Sequence, residues 1–132
     1  MLKVSVVRFT TADMVVAMAV ASTGTVYTRA VNIGFGSSFA IWLNLTSVAG
    51  TVDMTITLEE SYGLPADEGE ADANWVTPAN ISAIVTNRTS ETPYMAALSP
   101  VVAPYLRLKI EGKNVNNADA LADVRLLIQS DF

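Results

Sequence analysis

Three stretches of this chain alternate between apolar and polar residues, the third interrupted only by Leu127, and that period of two decides most of what it can fold into. Val52, Met54, Ile56 and Leu58 alternate with Asp53, Thr55, Thr57 and Glu59. Leu106, Leu108 and Ile110 alternate with Arg107, Lys109 and Glu111, and Val124, Leu126 and Ile128 with Asp123, Arg125 and Gln129. Successive side chains of a strand point to opposite faces, so each stretch reads as a strand with one face in a core and one outside it. Phe39, Ile41, Leu43 and Leu45 line one face of a further strand, with Trp42 on the other side. Tyr27, Arg29, Val31, Ile33 and Phe35 share a face of an earlier run, opposite Val26, Thr28, Ala30 and Asn32. Residues 4–9 are rich in β-branched side chains. Residues 14–20 are almost continuously apolar, which suits a strand covered on both faces.

Turn residues separate these runs at Ser22-Thr23-Gly24, at 34–38, at Ala49-Gly50 and at 112–117. Short strands at this spacing predict an all-β fold: a two-sheet antiparallel sandwich, jelly-roll-like, of about eight strands, with residues 1–132 as one domain. Two connections are longer. Residues 61–74 are polar and acidic, and residues 86–100 carry two prolines around a small apolar centre, where Met95 to Leu98 are enough for one helical turn.

Composition narrows the function. Half the residues are apolar, but only 16% are charged, against roughly 25% in ordinary soluble domains. So few charges leave apolar surface to face a partner, either another copy of the chain or a larger assembly. The strand over 14–21, with Val15, Val16, Met18 and Val20, is the expected seam, together with Tyr94, Met95 and Leu98. The formal net charge is −5 and the eight basic residues are scattered, which argues against a nucleic-acid partner. Cysteine and histidine are both absent. That removes disulfides, thiolate nucleophiles, His-ligated metals and every Ser-His or Cys-His arrangement, and the chain reads as a non-enzyme without a cofactor. Lys3 and Arg8 precede the apolar run, and Ala19-Val20-Ala21 has the small-x-small form of a signal cleavage site. Thr10, Thr11 and Asp13 interrupt the hydrophobic stretch, however, so strands are the better reading. The run is too short to span a membrane.

Three constellations bear on chemistry. Asp67, Glu68, Glu70 and Asp72 offer oxygen ligands to calcium, but without the alternate-position spacing of a known calcium loop, so a solvated surface loop is the expectation. Glu59 and Glu60 are adjacent on a strand and face opposite ways, which does not suit paired-carboxylate hydrolysis. Trp42, Trp75, Tyr62 and Tyr94 would serve as core or interface residues before they served as a sugar platform.

The C-terminal third runs Ser99-Pro100-Val101-Val102-Ala103-Pro104-Tyr105-Leu106-Arg107-Leu108-Lys109-Ile110-Glu111-Gly112. An Asn116-Asn117-Ala118-Asp119 turn and a closing strand to Gln129 follow it. Upstream lie Ile56-Thr57-Leu58-Glu59-Glu60-Ser61 and, after the acidic loop, Asn74-Trp75. This order, from Val52 to Gln129, resembles small β-sandwich proteins encoded among the structural genes of tailed bacteriophages. The resemblance implies a virion protein without catalysis, either a capsid decoration (cement) protein or a head or tail accessory subunit. Its implied partners are capsid or other virion proteins and further copies of itself, a trimer being one arrangement. Its implied location is the virion, assembled in the host cytoplasm. Two other readings compete: a carbohydrate-binding or adhesin-type sandwich, with Trp75 and Tyr62 in an exposed strip, and a tail-tube or connector subunit that closes into a ring.

Overall fold

The computed structural model describes residues 2–10, 18–19, 24–33, 38–47, 52–62, 75–77, 83–98, 104–112 and 120–131. Among these the chain forms ten strand segments: β1 (Leu2–Arg8), β2 (Met18–Ala19), β3 (Thr25–Tyr27), β4 (Val31–Asn32), β5 (Ser38–Ser47), β6 (Met54–Ser61), β7 (Val85–Arg88), β8 (Tyr94–Leu98), β9 (Tyr105–Gly112) and β10 (Ala120–Asp131). All ladders are antiparallel. One sheet runs β1-β10-β5-β8 with β2 also on β10; the other runs β3-β9-β6-β7 with β4 also on β9.

β1 and β2 lie end to end along one side of β10, and β3 and β4 along one side of β9, so the ten segments fill eight strand positions. The first position pairs with the last, the second with the seventh, the third with the sixth and the fourth with the fifth. That is a long hairpin folded over on itself, and its four pairs alternate between two sheets. The result is a jelly roll, as the alternating pattern predicts.

The alternation puts the expected residues inside. Met54, Ile56 and Leu58 from β6, Leu106, Leu108 and Ile110 from β9, Val124, Leu126 and Ile128 from β10, and Ile41, Leu43 and Leu45 from β5 are all fully buried in one shared core. Phe9 closes one end, where its amide donates to the Val124 carbonyl at 2.8 Å as the chain leaves β1.

Two expectations are corrected. The first concerns the run through Tyr27 and Ile33. Tyr27 lies opposite Lys109, but Val31 lies opposite Leu106, so three residues, Thr28 to Ala30, face two on β9. This one-residue bulge flips the side-chain parity. Val26 and Val31 therefore both pack on the core, and Tyr27 turns to the outer face. Thr28 fills the gap in the ladder: it is buried, its amide donates to the Leu108 carbonyl at 3.0 Å, and its Oγ1 accepts the Leu108 amide at 2.9 Å. The second concerns residues 86–100, read as a loop with one helical turn. They hold most of β7 and all of β8, and Met95 to Leu98 are extended, paired with β5 from Phe39↔Leu98 to Leu43↔Tyr94.

Candidate functional site

The outer face of the β1-β10-β5-β8 sheet carries the most unusual surface. Residues that share a register position form rows across the strands. One row is Val6, Leu127, Ala40 and Ala97, apolar from edge to edge. Beside it lie Arg8, Arg125, Trp42 and Met95, and on the other side Val4, Gln129 and Ser38. Val4, Val6 and Met95 are 62%, 57% and 58% exposed, values that leave most of each side chain in solvent. The sandwich buries the opposite face of the same strands, so this apolar surface is not part of the core.

The charges at its border are tied down. Arg8 and Arg125 would repel across the ladder, but both reach Asp123: Arg8 Nε lies 3.3 Å from Oδ1 and Arg125 Nη2 3.3 Å from Oδ2. The Arg125 guanidinium also lies over the Trp42 ring, 5.2 Å from its centroid. The face is thus an apolar centre with one edge of fixed charge, two guanidinium groups held on one carboxylate, the pattern of a protein contact surface more than of a catalytic cleft.

The outer face of the other sheet is built differently. Arg107 points out of the core, yet its side chain is 1% exposed. Its guanidinium is sandwiched between the rings of Tyr27 and Trp75, 4.3 and 4.6 Å from their centroids, and Nε donates to Glu59 Oε1 at 2.8 Å. Backbone bonds place Trp75: Val76 and Glu60 exchange N–H···O contacts of 3.0 and 2.8 Å, which fixes the chain beside β6. The cluster is a structural clamp, in which the Trp75 Nε1–H is buried without a hydrogen-bond partner among the described residues.

A shallow cleft of about 390 Å³ lies beside β7, lined by Ile84, Val85, Thr86, Arg88, Thr89, Ser90 and Tyr94. Its arginine is partly engaged: the guanidinium lies 4.5 Å from the Tyr94 ring centroid and Nη2 donates to the Thr92 carbonyl at 3.0 Å, while Nε is buried without a hydrogen-bond partner among the described residues.

The expected site residues divide. Asp67, Glu68, Glu70 and Asp72 lie outside the described residues, as do Val15, Val16 and Val20. Met18 lies in β2, on the β10 ladder opposite Ala122. Of the three on β8, Met95 faces outward and is exposed, Tyr94 is half-buried against the core, and Leu98 is buried within it. Trp75 is buried on Arg107 and Tyr62 is 88% exposed, so the two do not form the exposed aromatic strip that a sugar-binding reading expects. Sequence reasoning missed Val4, Val6, Ala40, Ala97 and Leu127. The signal was present as valines at both even positions of residues 4–6, but only the strand pairing shows that they share a face with β8.

No family model matches this chain, and a search of the curated proteins finds no match.

Proposed function

We propose that the chain is a non-enzymatic structural subunit of a virus particle, of the capsid-decoration or head–tail accessory type, that works by protein–protein contact. The observation that carries this reading is the apolar row Val6, Leu127, Ala40 and Ala97, with exposed Val4 and Met95 beside it, on the outer face of a sheet whose inner face already forms the core. Apolar surface gains about 25 cal/mol per Å² on burial, and a weakly charged chain has little else with which to hold a shell. The jelly roll itself does not choose between virion proteins, lectins and cupins. The chain has no histidine to supply a cupin-type metal site, and the burial of Trp75 weakens the lectin-type alternative.

The test is binding to assembled shells that lack the subunit, followed by native-gel shift and co-sedimentation. Wild-type protein is expected to saturate the shells, and Ala97→Lys, on an exposed position of the face, to lose binding while keeping its melting temperature. Equal binding by Ala97→Lys and Met95→Lys would exclude this face. Failure of the wild-type protein to bind any shell or tail component would exclude the function.

A further inference from the structure

A sandwich has four open edges, and three of these are guarded. The β3/β4 edge is broken by the bulge at Thr28 to Ala30. β7 has four residues, and its register on β6 shifts between Met54 and Ile56. β8 has five residues and is bracketed by Pro93 and Pro100. Bulges, short strands and prolines are the devices by which sheet edges avoid pairing with other chains. β1 has no bulge, proline or glycine and is seven residues long in unbroken register with β10; its two exposed valines lie between charges only at Lys3 and Arg8, towards its two ends.

The parity of its backbone is fixed. Phe9 continues the β1 register opposite Val124 and donates to its carbonyl, so the odd-numbered residues bond to β10. In an antiparallel ladder the hydrogen-bonded positions alternate, so the N–H and C=O groups of Leu2, Val4, Val6 and Arg8 point away from it. Among the described residues no other strand pairs with that side.

We infer that β1 pairs antiparallel with β1 of a second copy about a two-fold axis at Ser5, joining the β1-β10-β5-β8 sheets of the two copies into one. The strand is its own complement. In the register that overlaps all seven residues, Val4 lies opposite Val6 of the other copy, Leu2 opposite Arg8, Lys3 opposite Val7 and Ser5 opposite Ser5. The even positions of both strands meet as hydrogen-bonded pairs, and no like charges face one another across the axis. Arg8 is held on Asp123, a carboxylate it shares with Arg125, and faces the uncharged Leu2 of the other copy. Head-to-tail pairing of β1 with β8 would overlap only five residues beside two prolines, so a two-fold dimer is favoured over a ring or a three-fold arrangement. The dimer doubles the apolar face of the proposed docking surface, but its formation does not depend on that reading.

Two experiments test it. The chain has no cysteine, so Ser5→Cys places a single thiol on the proposed axis. Facing residues at a non-hydrogen-bonded antiparallel pair lie at about 4.5 Å between Cα atoms, within disulfide range. Mild oxidation is expected to give a covalent dimer quickly for Ser5→Cys and slowly for Lys3→Cys. Equal rates would overturn the axis. In sedimentation equilibrium the wild-type chain is expected to dimerise with rising concentration. Val6→Pro removes an amide on the outward side and no bond to β10, an edge position where proline is tolerated. It is expected to raise the dimer dissociation constant by about tenfold or more, from the loss of the two symmetry-related Val6 N–H bonds to the Val4 carbonyls. Val4→Pro repeats the test should Val6→Pro melt early. A monomer at all concentrations, a ring, or a dimer unaffected by both prolines would overturn the inference. Ala97→Lys, which tests shell docking, is expected to leave the dimer intact.

Discussion

Arg107 carries a full charge where almost no solvent reaches it. Burying a guanidinium is costly unless it is paired, and here Glu59 supplies the charge while Tyr27 and Trp75 supply two ring faces. Arginine suits this role where lysine would not, because a planar guanidinium can stack on both sides and still donate along its edge. Lys109, two residues on, shows the contrast: its ammonium lies 4.0 Å from Glu111 with both side chains partly in solvent. Arg107→Ala is therefore expected to cost about 3–5 kcal/mol in urea unfolding, against less than about 0.5 kcal/mol for Lys109→Ala. Trp75 fluorescence should shift to the red in the first variant alone. Equal costs would mean that the stack contributes no more than a surface ion pair.

At the scale of elements, the same reasoning applies to the bulge between β3 and β4. Thr28 replaces a missing backbone acceptor with its own Oγ1, so the Leu108 amide stays satisfied in the core. Thr28→Val keeps the shape and removes the acceptor, and is expected to cost about 1–3 kcal/mol, the penalty of a buried amide left without a partner. Faster hydrogen exchange at the Leu108 amide, beyond the change in global stability, is the specific readout. The bulge also shows where the sequence stops being informative. Leu106, Leu108 and Ile110 were legible because their alternation is uninterrupted, whereas one extra residue in the β3/β4 edge turns Tyr27 outward and Val31 inward without any change in composition. β8 was obscured for another reason: Tyr94, Ala96 and Leu98 face in while Met95 and Ala97 face out, and both sets are apolar or small. The alternation that marks a strand vanishes where its outer face is itself apolar. The feature that hid the strand is thus the one that marks the candidate surface, and the two could be recognised only together, once pairing placed Ala97 in a row with Val6.

For the whole molecule, the jelly-roll order means that neither sheet is built from one part of the chain. One sheet takes β1, β2, β5, β8 and β10, the other takes β3, β4, β6, β7 and β9, and the chain crosses between them repeatedly. The two sheets bury their inner faces against each other in one cluster, and a further bond crosses between them, from the Arg29 amide at the bulge to the Thr10 carbonyl after β1, at 2.7 Å. Neither sheet can keep its apolar face dry alone, so the fold should unfold as one cooperative unit, as single domains of this size usually do. The two tryptophans allow a direct test, because Trp42 sits on the first sheet and Trp75 stacks over the second. Trp42→Phe leaves only the reporter on the β9 side, and Trp75→Phe only the one on β5. In each variant the urea midpoint read by the remaining tryptophan is expected to coincide with that variant's midpoint by circular dichroism. A tryptophan midpoint that separates from the dichroism midpoint by about 0.5 M or more, roughly 0.5–1.5 kcal/mol at the slopes of small domains, would show that one sheet opens before the other.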